Sequence, residues 1–221
     1  MRTIRVTGKG MIKVRPDMTR LTITLEDTCK EYEETLKKSS ENTDRLKTLL
    51  EGFGFDRADI KTLSFNVEEA YESYEDGRYN RKQKLVGYKY DHRVKVEFDS
   101  DNARLGKIVY ALAHSDLHPE FRISYTVKDP EAAKNELLGR AVKDSLAKAA
   151  VLTEASGTKL KEIQSIDYSW GEIDLEVRPM RSMCYPAGLR DMAVTDDGFD
   201  YDLEPDDIEL TDTVTVVWEI E

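Results

Sequence analysis

Few side chains in this sequence stand at spacings that suit chemistry. His114 and His118 are four apart, which would place two imidazoles on one helical face toward a metal ion. Ser115-Asp116 between them marks a helix end, and with no third ligand nearby the pair reads as a surface turn. His92 shares the apolar face of an alternating run, which fits a core histidine with satisfied nitrogens better than a general base. Cys29 stands just before a helix start, where the dipole could lower a thiol pKa, but no histidine is spaced to partner it. Asp196, Asp197, Asp200, Asp202, Glu204, Asp206 and Asp207 offer oxygen ligands for Ca²⁺. Their spacing and turn glycine do not match the helix-loop-helix calcium motif, so the run reads as a solvated loop. Gly8-Lys9-Gly10 begins like a dinucleotide fingerprint, yet no third glycine and no helix follow, and close packing explains it better. No phosphate-loop lysine or nucleophile-elbow serine is present. The residues thus predict no catalytic group, no metal site and no cofactor.

The tyrosines form the remaining cluster. Tyr71, Tyr74, Tyr79, Tyr88 and Tyr90 flank one hairpin tip and alternate with Glu72, Glu75, Arg78, Arg81 and Lys82. Aromatic and charged groups interleaved in this way suit a contact surface. Tyrosines packing across the strands of a long two-stranded arm would give the same pattern.

These groups must be positioned by the surrounding elements. Residues 3 to 15 alternate, with Ile4, Val6, Gly8, Gly10, Ile12 and Val14 on one face, a half-buried strand. Leu21, Ile23 and Leu25 make a second strand, and Pro16-Asp17 between them predicts an antiparallel pair. A helical period over 31 to 50 follows, its seam weak at Ser39 and Thr43. Strands follow around Leu63, Phe65 and Val67 and over Val86 to Phe98, joined across the Asp76-Gly77 turn. A short helix around Leu105 to Leu112 and a strand over 121 to 127 lead to the longest helix, Pro130 to Ser156. Asp129 caps it, Gly157 ends it, and Leu138, Ala141, Val142, Ser145, Leu146, Ala149 and Leu152 form its expected buried stripe. Ile166, Tyr168 and Trp170 suggest a sixth strand, and Val214 to Ile220 a last one.

The order ββαββ-αβα-ββ predicts an α+β fold of mostly antiparallel sheets with helices covering one face. A division into 1–98 and 99–221, with an irregular acidic insertion at about 171–207, is one expectation, and two interlocked subdomains exchanging strands is another. The chain has 221 residues and a net charge of −11, which disfavours a nucleic-acid backbone as main partner. No apolar run reaches the length of a membrane span. Met1-Arg2-Thr3-Ile4 enters a strand pattern at once, predicting no leader and a cytoplasmic protein in which Cys29 and Cys184 stay free thiols.

Val6-Thr7-Gly8-Lys9-Gly10 followed by Val14-Arg15-Pro16-Asp17 resembles the opening of SIMPL-domain proteins, the domain-of-unknown-function 541 family. Tyr74 to Gly77 with Val86-Gly87-Tyr88, Asp129-Pro130 with Ala141-Val142-Lys143-Asp144 and Lys148-Ala149, and Glu204-Pro205 with Val214-Thr215-Val216 match further family motifs in order. The resemblance leaves out roughly 170 to 203. The sequence also departs where Asp207 stands near an expected closing glycine, and in lacking the signal peptide that most members carry. It implies kinship with bacterial periplasmic immunogenic and oxidative-stress proteins, some of which assemble into rings, and supplies no catalytic residues. The expectation is therefore a non-enzymatic, self-associating protein, a homo-oligomer with Tyr71, Tyr74 and Tyr79 as contacts. An enzyme or a ligand- or metal-binding protein with its site in the 170–207 insertion is the alternative.

Overall fold

The computed structural model describes residues 2–75, 81–168, 175–176, 194–195, 198–199 and 204–221. In order, the elements are β1 (Arg2–Val14), β2 (Met18–Cys29), α1 (Tyr32–Glu51), β3 (Lys61–Glu75), β4 (Arg81–Asp99), α2 (Asn102–Ala113), β5 (Glu120–Thr126), α3 (Pro130–Ser156), β6 (Leu160–Tyr168), β7 (Val194–Thr195), β8 (Gly198–Phe199) and β9 (Ile208–Ile220). This is the α+β order expected, with the two-residue pair β7–β8 added. Local chemistry sets the helix ends. Asp101 and Asp129 accept the backbone N–H of Arg104 and Ala132 at 3.0 and 2.9 Å, and Gly157 closes α3 in the left-handed conformation.

The chain divides into two compact units, one from Met1–Asp17, Tyr125–Val177 and Pro205–Glu221, the other from Met18–Ser124 and Arg178–Glu204. The second unit holds a sheet in the order β3-β4-β2-β5. Leu21, Ile23 and Leu25 of β2 stand opposite Val96, Val94 and His92 of β4, so one face is apolar apart from the histidine. Leu46 and Leu50 of α1 and Leu105, Ile108 and Leu112 of α2 cover it in a single cluster. The other face carries cross-strand charges: Glu97 accepts from Arg20 at 2.6 Å and from Lys95 at 3.0 Å, and Lys89 meets Glu26 at 2.7 Å. Burial would push the Glu97 carboxyl up, but the bonds from Lys95 and Arg20 outweigh it and hold it below its usual range.

The first unit is a sheet in the order β1-β9-β6. The expected β1–β2 hairpin is not formed: β1 pairs with β9 from Arg2↔Ile220 to Val14↔Ile208, and β2 pairs with β4 in the other sheet. The intervening turn shows why. Asp17 donates its N–H to the Thr126 carbonyl at 3.2 Å and accepts the Lys128 N–H on its carboxylate at 2.8 Å. These bonds pin the turn to the chain leaving β5, so β2 cannot fold back on β1.

The buried stripe of α3 also differs from the expected one. Ala133, Leu137, Ala141, Ser145, Ala149 and Thr153 face the sheet, whereas Leu146 and Leu152 are 45% and 49% exposed. Gly8 and Gly10 cause the rotation. A Cβ at Gly8 would lie 2.0 Å from the Ala141 carbonyl oxygen, and one at Gly10 would lie 2.2 Å from that of Leu137. The helix backbone rests directly on β1, so small side chains make the contact and two leucines are left outside. The polar stripe beside it is equally specific. Arg140 donates to the Met11 carbonyl at 3.0 Å, Lys148 donates to that of Thr7 at 3.4 Å, and Asp144 accepts the Lys9 N–H at 2.7 Å. Three side chains spaced four apart thus occupy the outer edge of β1, which is how an exposed strand edge is kept from pairing elsewhere.

Candidate functional site

The tyrosine hairpin extends past its sheet. Pairing of β2 with β4 ends at Cys29↔Tyr88, but β3 and β4 stay paired as far as Glu75↔Arg81. Beyond Tyr88 the chain is therefore a two-stranded ribbon. Its root depends on Gly87, at φ 151, where a Cβ would lie 2.1 Å from the Cys29 carbonyl oxygen. Any larger residue would push the end of β2 off the ribbon.

A register shift between Ala70 and Tyr71 sets what the ribbon presents. Tyr71 stands opposite Leu85, Glu72 opposite Lys84 and Tyr74 opposite Lys82. Being three apart on a strand, Tyr71 and Tyr74 lie on opposite faces. They are 51% and 47% exposed, and Leu85 and Val86 are exposed beside them. The Tyr71 hydroxyl donates to the Glu69 carboxylate at 2.5 Å, which raises the phenol pKa and keeps it protonated. Tyr79 lies outside the described residues.

At the foot of the ribbon, α1 meets β4 along a polar seam. Tyr32 packs edge-on against Tyr88 with ring centres 5.4 Å apart. Asn42 donates to the Tyr90 hydroxyl at 2.8 Å, and burial pushes that phenol up. Thr43 sits 2.9 Å from Nδ1 of His92, and Thr62 of β3 sits 3.1 Å from its Nε2. The Phe65 ring stands edge-on to the imidazole at 5.3 Å. Thr43, one of the two weak positions of the helical seam, is thus where the helix meets a buried histidine, and the buried Ser39 accepts the Thr43 hydroxyl proton on its carbonyl. A polar residue on a helix seam facing a strand's inward histidine was the available signal for this cluster, and spacing alone did not join them.

The other sequence candidates stay apart. His114 ends α2 with Nδ1 at 2.9 Å from the Tyr110 carbonyl, stacked on that tyrosine ring at 4.0 Å. His118 follows in a turn with φ 41. Cys29 is a buried free thiol, and Cys184 lies outside the described residues. Most of the acidic run also lies outside them. Among the described residues, no three His, Cys, Asp or Glu side chains are grouped to hold a metal ion, and no helix is long and apolar enough to cross a membrane.

The family model for SIMPL, described as a protein of unknown function (DUF541), matches residues 4–218. The 26 kDa periplasmic immunogenic protein of Brucella melitensis biotype 1 is 27% identical over 164 residues, 74% of this chain and 65% of that protein. The protein of the same name from Brucella abortus (strain S19) is 26% identical over 164 residues, with the same coverage of each chain. The match thus spans under two thirds of the relatives' own length, and their names place them in the periplasm rather than the cytoplasm. With the model covering nearly every residue from β1 to β9, the chain belongs to the SIMPL family, whose function is unknown.

Proposed function

We propose that this SIMPL protein is non-enzymatic and works through protein contacts, associating first with copies of itself by way of the β3–β4 ribbon. The observation that supports this is the exposure of Tyr71 and Tyr74 on opposite faces of a ribbon that runs past the end of β2. A two-stranded ribbon has no second layer of its own, so rings on both faces stay wet until another surface covers them. Burying each tyrosine on a partner contributes about 1–2 kcal/mol, enough over repeated contacts to hold an assembly. The cross-strand pair Glu72↔Lys84 supplies register more than affinity, so moderate salt weakens assembly only slightly.

The test is native mass by light scattering, for the unmodified protein and for a variant with Tyr71, Tyr74 and Tyr79 changed to serine. The expected result is an oligomer that falls to a folded monomer with a near-unchanged melting temperature. An unmodified protein that is monomeric at high micromolar concentration overturns the proposal. So does a variant that unfolds, since the tyrosines would then be part of the core.

A further inference from the structure

Helix α3 leaves one strand of its sheet bare. A helix is about 10 Å across and strands lie about 4.8 Å apart, so one helix covers two strands. Here those are β1 and β9, and α3 scarcely reaches β6. Ile163, Ile166 and Tyr168 of β6 stand opposite Trp218, Val216 and Val214 of β9, whose side chains are buried under the helix. All three therefore point to the helix side of the sheet, and all three are nearly half exposed. Ile163 and Ile166, three apart, share that face because β6 shifts register between Ile163 and Ser165. A second shift lies between Leu160 and Ile163. Such shifts break the even row of backbone groups on the outer edge, so β6 offers a partner its face rather than an edge to pair with.

The helix supplies a wall beside that floor. Arg140, Asp144 and Lys148 reach the outer edge of β1, so the opposite flank of α3, with Leu138, Val142 and Leu146, turns toward β6. Leu138 and Val142 pack on the cluster that holds Val214 and Val216, and Leu146 is nearly half exposed. Ser145 lies over Gly8, which stands opposite Val214, so Leu146 is level with Ile166 and Tyr168. Floor and wall together form an apolar step.

The β3–β4 ribbon has one face that matches it. Tyr71 stands opposite Leu85 and Ser73 opposite Gln83, all uncharged, whereas the other face sets Tyr74 opposite Lys82 and Glu72 opposite Lys84. Docking by the Tyr71 face leaves those charges in water. The Tyr71 hydroxyl already donates to Glu69, so covering the ring orphans no phenol. A two-stranded ribbon laid on a sheet sits about 10 Å above it and is about 10 Å wide, the height and breadth of the helix beside it.

We infer, on the reading that the ribbon drives self-association, that the step between α3 and β6 receives the Tyr71–Leu85 face of the ribbon of a second copy. Covering Tyr71, Leu85, Leu146, Ile163, Ile166 and Tyr168 removes on the order of 500 Å² of surface. With the polar share usual in an interface, the contact comes near the roughly 1,000 Å² of a weak specific one. Ribbon and step are different surfaces, so the contact is head-to-tail: each copy gives its ribbon to one neighbour and its step to another.

Two variants and their mixture test this by light scattering at high micromolar concentration. One has Tyr71, Tyr74 and Tyr79 changed to serine and keeps its step; the other is Ile166→Lys and keeps its ribbon. Each alone is expected to be a folded monomer. Mixed in equal amounts they should give twice the monomer mass and nothing larger, because one intact ribbon meets one intact step and the series ends there. If Ile166→Lys keeps the mass of the unmodified oligomer, the step is overturned while the ribbon reading stands, with copies meeting ribbon to ribbon. A mixture that stays monomeric overturns the step as well. If the tyrosine variant keeps the oligomer's mass, or the unmodified protein is a monomer, both readings fall. Should Ile166→Lys not fold, Leu146→Lys on the helix wall takes its place. If neither folds, the step is covered within its own chain and receives no second copy.

Discussion

The carboxylate of Asp144 accepts the backbone N–H of Lys9 at 2.7 Å, so a helix side chain takes the hydrogen-bonding place that a further strand would use. Lys148, 2.6 Å away, and the Lys9 N–H hold that carboxyl below its usual range. Its contribution is therefore present above the ordinary aspartate value of about 3.9 and is lost as pH falls through the lower folded value. Asp144→Ala should lower the melting temperature at neutral pH and increase concentration-dependent light scattering, because the edge of β1 becomes available. A variant whose scattering and melting match the parent would show that the edge needs no cover.

Gly8 and Gly139 make a paired test of the β1–α3 contact. Gly8→Ala forces a methyl into the Ala141 carbonyl and should cost about 1–3 kcal/mol in denaturant unfolding. At Gly139, an exposed helical position, a Cβ meets nothing within 4 Å, so Gly139→Ala should stabilise by about 0.5–1 kcal/mol. Equal effects of the two changes would contradict the close approach.

The rotated stripe of α3 makes Leu137 and Leu146 unequal. Leu137 is fully buried beside Ile12, Ile208 and Leu210, and Leu137→Ala should cost about 2–5 kcal/mol. Leu146→Ala should cost under about 1 kcal/mol, since the side chain is half exposed and alanine favours the helix. Urea midpoints at constant slope measure both.

Cys29 is 8% exposed, so in the folded protein its thiol should react with a disulfide reagent far more slowly than after denaturation. Denatured without reductant, the protein should show two reactive thiols, Cys29 and Cys184. Finding none, with a mass lower by two hydrogens, would mean that the two are joined.

Much of the fold was legible because strand and helix periods are local properties. The alternation of Ile4 to Val14 marked the inner face of β1, and Asp129, Pro130 and Gly157 marked both ends of α3. Pairing partners were not legible in the same way. Pro16-Asp17 looks like a hairpin turn until its bonds to Thr126 and Lys128 are seen, and those residues lie more than a hundred positions away. On α3, hydrophobicity favoured Leu146 over Ala133, while the real contact was chosen by how close two glycines let the backbones come. The ribbon could be read as an arm from its turn and its tyrosines. The link from Thr43 through His92 to Thr62 spans three elements, and no spacing rule connects them.

The central strand of the β1-β9-β6 sheet has a consequence for the order of assembly. Its middle strand is β9, residues 208–220, flanked by a strand from residues 2–14 and another from 160–168. During synthesis the β3-β4-β2-β5 sheet has all its strands once residue 126 has emerged, whereas β1 and β6 wait unpaired until β9 is made. Strand β9 therefore acts as the keystone of β1, and a ribosome stalled before residue 208 leaves a chain that holds every strand of one sheet and lacks the middle strand of the other.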